Sequence, residues 1–141
     1  MTRVNVVDPK ILSDQHLLAE RLELNFVISS AWRSMNSKRG LRVSPEFTLG
    51  TGHVSFFHDK IGYIVGRYGQ LTNEMVRRDM KPKAQLADIS WVPHRMMGLY
   101  LPKTKDFAII KERIKTKLNM KPEWYRYNGK PLSESFWRYY E

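Results

Sequence analysis

Not one of the 141 residues is a cysteine. That excludes a disulfide scaffold, a thiol nucleophile and every zinc site that depends on thiolates. Acidic residues are scarce beside basic ones, 14 against 24, for a formal net charge of +10. No run approaches the roughly 18 apolar residues of a spanning helix. The stretch from Met1 to Leu12 is interrupted by Arg3, Asn5, Asp8, Pro9 and Lys10, so no secretory leader is read there. The four histidines, His16, His53, His58 and His94, show no HExxH or comparable ligand spacing, and GxSxG and Walker loops are absent. No metal and no cofactor is therefore expected. Repeats, low-complexity stretches and linkers are missing too. A soluble, intracellular chain forming one domain over residues 1–141 is the expectation.

What is present suffices for a core: 42% of the residues are hydrophobic and 12% aromatic, which argues against disorder at this length. Three helical patterns stand out. The first begins at Ser13 as N-cap and places Leu17, Leu24, Ile28, Ala31 and Met35 on one face, ending near Ser37 before Lys38-Arg39-Gly40. Its opposite stripe holds His16, Glu20, Glu23, Ser30 and Ser34, which spacing alone reads as a solvated face. The second runs from about Asp59 to Asp79, with Phe57, Ile61, Ile64, Val65, Tyr68, Leu71 and Met75 in register. Gly62, Gly66 and Gly69 lie inside it, each costing about 1 kcal/mol against Ala. Either packing overrides propensity there or another backbone comes close. The third starts after Pro102 with Thr104 as N-cap, buries Phe107, Ile110, Ile114 and Leu118, and stops before Lys121-Pro122. Strand signals are short and broken by Pro45, so the fold class expected is all-α, a compact single domain of three helices with long loops. Gly50-Thr51-Gly52-His53 resembles the start of a glycine-rich phosphate loop but lacks the third glycine. A tight turn into the second helix is the reading.

Ten of the 24 basic residues fall after residue 100, against five acidic ones. A basic chain rich in Trp and Tyr suits a polyanion with stackable faces, and nucleic acid fits better than a membrane because no helix divides sharply into Lys and Leu faces. Arg113 and Lys117, four apart, share a stripe of the third helix; they track phosphates or form a solvated basic face. Trp124-Tyr125-Arg126-Tyr127-Asn128-Gly129-Lys130 puts stacking faces beside cations, with Asn128-Gly129 as a turn that presents them or packs them over the C-terminal end of the core. At the other end, Thr2 is small enough for Met1 to be removed, which leaves a free α-amine.

Met1-Thr2-Arg3, Asp14-Gln15-His16-Leu17, Ala19-Glu20, Glu23-Leu24, Leu49-Gly50 with Gly52-His53-Val54, Phe56-Phe57, Asp59-Lys60 and Trp124-Tyr125-Arg126-Tyr127 with Gly129-Lys130 occur in the order of a known pattern. It resembles that of the phage pyrimidine-dimer DNA glycosylases and abasic-site lyases of the endonuclease V type. The resemblance reaches about Lys130, and residues 131–141 look like a C-terminal extension. It implies a three-helix fold whose N-terminal segment threads between helices and brings the Thr2 α-amine beside Glu23. The amine then attacks C1′ of the damaged nucleotide, and β-elimination cuts the strand. It also implies that Arg3, Arg113 and Lys117 hold phosphates, that Gln15 and His16 lie on a helix face near the site, and that Trp124, Tyr125, Arg126, Tyr127 and Lys130 form a DNA-binding loop. The partner implied is double-stranded damaged DNA, met by a monomer without membrane or metal, in the cytoplasm of a phage-infected bacterium. Where the family has arginines flanking the glutamate, this chain carries Leu22 and Phe26; Arg21 stands where the family has an aromatic residue and is expected to restore one charge. The rival reading is a non-catalytic DNA-binding protein on the same scaffold.

Overall fold

Ser13 caps the first helix as its sequence position demands: its Oγ accepts the His16 amide at 3.1 Å, and α1 runs Asp14–Met35. The computed structural model describes residues 4–141. The other elements are α2 (His53–Phe56), α3 (Ile61–Arg77), α4 (Thr104–Met120), the hairpin strands β1 (Arg126–Tyr127) and β2 (Lys130–Pro131), and α5 (Glu134–Trp137). Three 3-10 turns, Pro9–Ile11, His94–Met96 and Arg138–Tyr140, complete the elements among the described residues. The three expected helices are α1, α3 and α4. The fold is mostly helical as expected, but the count of three omitted two single-turn helices and the small antiparallel hairpin. In that hairpin Tyr127 pairs with Lys130 across Asn128 and Gly129, both at positive φ.

Leu17, Leu24, Ile28 and Ala31 from α1, Ile61, Ile64, Leu71 and Met75 from α3, and Ile110, Ile114 and Leu118 from α4 share one core. α1 packs chiefly on α3. The helix α4 begins one residue from the expected place: Lys103 is the cap, and its N–H donates to Asp106 at 2.9 Å. Phe107, expected in the core, is 37% exposed. The alternative raised by the glycines resolves at Gly62, where a Cβ would lie 2.6 Å from the Met97 carbonyl oxygen. A neighbouring backbone does come close there, and only a residue without a side chain admits it.

The stripe read as solvated on α1 is not solvated at its N-terminal end. Glu20 is fully buried and His16 is 8% exposed. Glu20 meets Arg67 of α3, 47 residues away, a partner that local spacing cannot reveal. Residues 4–7 are also buried, as is Leu12, while Asp8 and Lys10 between them are exposed. The backbone of this segment is held at several points by distant side chains. Arg67 Nη1 donates to the Val7 carbonyl, Arg78 Nη2 to Pro9, Tyr127 Oη to Lys10 and Tyr140 Oη to Ile11. Tyr140 and the buried Phe136 belong to residues 131–141, so these residues pack on the core and help fix the chain's approach to α1.

Candidate active site

On α4 the buried stripe Ile110, Ile114 and Leu118 fixes the helix rotation, and Arg113 and Lys117 precede two of these residues on the adjoining face. On α1, Gln15 and His16 lie in the first turn. The chain after α4 is docked onto that turn by Gln15, whose amide nitrogen donates to the Trp124 carbonyl at 2.7 Å while its Oε1 accepts the Arg126 N–H at 2.9 Å. Gln15 thus pairs the backbone on both sides of Tyr125 as a neighbouring strand would. Asp14 does the same for the turn, accepting from the N–H groups of Asn128 at 3.0 Å and Gly129 at 2.8 Å. Tyr125 is thereby laid flat on His16, with ring centroids 4.9 Å apart and planes 5° from parallel. Trp124 stands edge-on to Tyr125 at 5.0 Å.

The result is a cleft of about 190 Å³ lined by Gln15, His16, Ala19, Arg113, Lys117, Trp124 and Tyr125. A second hollow, about 260 Å³, continues past Lys117 and Trp124 to Met120 and Lys121. Six residues singled out in the sequence therefore share one wall of aromatic faces and cations. Burial, and then the charges of Arg113 and Lys117, push the His16 imidazole down to about 4, so the ring is neutral at pH 7. Ser13 fixes its orientation. The Ser13 oxygen accepts the His16 N–H and also lies 2.9 Å from Nδ1, so one hydroxyl holds both the backbone and the ring.

Glu23 lies seven residues beyond His16 on α1, two helical turns and about 10 Å along the same face. It is half-buried. Beside it Leu22 and Phe26 are 59% and 49% exposed, the Phe26 ring carrying the Arg33 guanidinium 5.6 Å from its centroid. Thr2 and Arg3 lie outside the described residues.

Arg21 does not join this surface. It is buried, its Nε donating to Thr72 at 2.9 Å and its Nη2 to the Ala84 carbonyl at 2.6 Å, with the guanidinium stacked 4.4 Å over Tyr68. The expected compensating charge instead pins the loop after α3 to α1. Tyr127 also faces away from the cleft, its hydroxyl on Lys10 and its ring against Arg78 at 3.9 Å. The Arg126 guanidinium closes on the carbonyls of Glu123 and Tyr125, and Lys130 is exposed on β2.

A cationic feature that sequence reasoning missed sits at the far end of α1. Arg33, Lys38, Arg39 and Arg42, all exposed, surround a concavity of about 540 Å³ together with Ser30, Ser34 and Ser37. His58 supports it from beneath, donating Nδ1–H to the Arg42 carbonyl and accepting from Ser30, both at 3.0 Å. The run Lys38-Arg39-Gly40 carries the signal, though as a sequence it marks only a helix end.

Among the described residues no helix is long and apolar enough to cross a membrane. A family model described as pyrimidine dimer DNA glycosylase matches residues 1–88, a span that takes in Thr2, His16 and Glu23 and ends before α4. The match covers well over half of the 141 residues, and its first helix is the one that carries the cationic, aromatic-walled cleft. The chain belongs to the pyrimidine dimer DNA glycosylase family.

Proposed function

We propose that this DNA repair glycosylase also acts as an abasic-site lyase, and that both steps run through the α-amine of Thr2 exposed by removal of Met1. In the first step the amine nitrogen bonds to C1′ as the C1′–N glycosidic bond breaks and the base departs with a proton. Ring opening gives the imine. In the second, Glu23 takes a 2′ proton, the C3′–O bond breaks with the 3′ phosphate as leaving group, and water then hydrolyses the imine to free the amine. An α-amine suits this work: its ordinary pKa of about 7.7–8.0 leaves a sizeable neutral fraction at pH 7, whereas a lysine at about 10.4 leaves very little. The carboxylate would also stabilise the oxocarbenium-like charge at C1′.

The observation that carries this reading is the shared face of α1. It presents a cation-lined cleft at His16 and, two turns on, Glu23, while residues 4–7 are buried in the same fold. Arg113 and Lys117 suit phosphates, and the Trp124 and Tyr125 rings suit unstacked bases. Exposed Leu22 and Phe26 beside Glu23 favour, as the second reading, a DNA-binding protein without the chemistry.

The two readings part at covalent bond formation. Borohydride reduction with an abasic-site duplex should leave a protein–DNA adduct on the Thr2 peptide, and Glu23→Gln should bind that duplex yet lose most strand cleavage. No adduct, or an adduct on an internal lysine, overturns the assignment.

A further inference from the structure

We propose that His53 is a positioning residue for the N-terminal nucleophile, a role that rests on the reading of Thr2 as that nucleophile. Its Nε2 accepts the backbone N–H of Val4 at 3.0 Å, and its Nδ1 lies 2.7 Å from the Thr48 carbonyl oxygen. A carbonyl only accepts and an amide N–H only donates, so Nδ1 carries the proton and Nε2 the lone pair. The two bonds together specify one neutral tautomer and one ring orientation.

The ring is 2% exposed and wedged between aromatic edges, Phe47 at 5.5 Å and Phe57 at 5.6 Å. Its placement at the start of α2 depends on Gly52, which caps that helix at φ 99°, where a Cβ would sit 2.6 Å from Ser44 Oγ. The partner segment is equally constrained. Val4 is fully buried, the Val7 carbonyl is gripped by Arg67 Nη1 at 2.5 Å, and between them Val6 holds φ 48°, with the Val7 N–H turned onto the Asn5 carbonyl. A β-branched residue at positive φ is strained and persists only where its surroundings dictate it. Here the His53 bond dictates one side and the Arg67 bond the other.

Two residues of chain reach at most about 7 Å, so fixing the Val4 amide bounds the volume open to the Thr2 amine. Attack on C1′ needs an approach of about 3–3.5 Å, and a misplacement of 1 Å can cost about 10²-fold in rate. The contact that carries this role is the one His53 makes with the backbone of Val4.

Two substitutions separate this role from simple packing. His53→Asn keeps a donor at the δ position for Thr48 but reaches no farther, whereas His53→Gln puts an acceptor oxygen at the ε distance for Val4. With Asn, single-turnover borohydride trapping on an abasic duplex should slow at least tenfold, while affinity for a duplex holding an unreactive tetrahydrofuran site changes less than threefold. With Gln, trapping should recover to within threefold of the parent. Equal losses in both variants, an unchanged rate with Asn, or a fall in affinity that matches the fall in rate would each overturn the proposal. Should Asn fail to fold, ¹⁵N NMR of the parent decides. The Nδ1–H tautomer supports the tether, and an Nε2–H ring or an imidazolium at pH 7 overturns it. A parent adduct off the Thr2 peptide overturns the nucleophile and this role with it; an adduct on Thr2 that is indifferent to Asn overturns this role alone.

Discussion

Arg67 and Glu20 meet in the interior as a two-pronged pair, Nε to Oε2 at 2.7 Å and Nη2 to Oε1 at 3.0 Å, with side-chain exposures of 2% and 0%. The third prong of the same guanidinium, Nη1, holds the Val7 carbonyl. One arginine therefore joins α3 to α1 and to the buried N-terminal segment. Removing one partner of such a pair strands a buried charge. Glu20→Ala should lower stability by about 3–5 kcal/mol in urea denaturation, whereas Glu20→Leu with Arg67→Met should recover much of that loss. An effect under about 1 kcal/mol for Glu20→Ala would show that water reaches the guanidinium and screens it.

His16 links the cleft to pH. Its folded value of about 4 lies below the ordinary 6.5, so the unfolded chain binds the proton first. The stability this supplies is complete above pH 6.5 and is lost as pH falls from 6.5 towards 4, to a total of about 3 kcal/mol. Burial is the largest cause and the charges of Arg113 and Lys117 come next. Arg113→Ala with Lys117→Ala should therefore raise the titration midpoint, yet leave it below 6.5. Binding a phosphate backbone over the same two cations should move it in the same direction. NMR titration of the His16 ring checks both, and a midpoint indifferent to the cations would remove them as a cause.

Legibility followed the range of the interactions. The three long helices, the Ser13 cap, the Asn128-Gly129 turn and the core stripe of α4 all rest on neighbours within a few residues, which periodicity and turn chemistry report. Phe107 failed because α4 buries a narrower stripe than its spacing allows. Glu20 and Arg21 failed for another reason: each meets a distant partner, Arg67 or Ala84, 47 or 63 residues away, and the contact of His53 with Val4, 49 residues away, is equally invisible to local spacing. A polar residue on a helix face looks the same in sequence whether it meets water or a buried guanidinium. In the cleft, Gln15, His16, Arg113, Lys117, Trp124 and Tyr125 were legible through resemblance and composition, but that Gln15 binds backbone rather than facing outward was not.

Salt dependence tests the cationic surfaces. Arg113→Ala and Lys117→Ala should each flatten the slope of log K against log salt by about 0.9 if each neutralises one phosphate, with little change in which lesion is preferred. Arg33→Ala should do the same if duplex DNA lies along α1 as far as the Ser30, Ser34 and Ser37 concavity. An unchanged slope for Arg33→Ala, beside a flattened one for Arg113→Ala, would confine the footprint to the His16 end of the helix.

The exposed pair Leu22 and Phe26 bears on which lesion is cut. They stand four residues apart on α1, either side of Glu23, and both are about half exposed or more. Arginines at these places could contact phosphates and hydrogen-bond bases around a kinked step; Leu and Phe can do neither, though Phe26 can stack on or wedge beside an unstacked base. Two lost phosphate contacts would lower the salt slope by about 1.8, and in the proposed reaction some of the hold that aims the amine at C1′ would go with them. An abasic site already lacks its base, so cleavage there asks less of lesion reading than excision from an intact dimer. The expected outcome is abasic-site cleavage at least tenfold faster than cleavage at a cyclobutane dimer. Leu22→Arg with Phe26→Arg should narrow that gap by speeding the dimer reaction. Single-turnover cleavage of the two duplexes by both proteins makes the comparison. Equal rates in the parent, with no gain from the arginines, would show that an apolar ridge beside Glu23 reads the dimer as well as cations do.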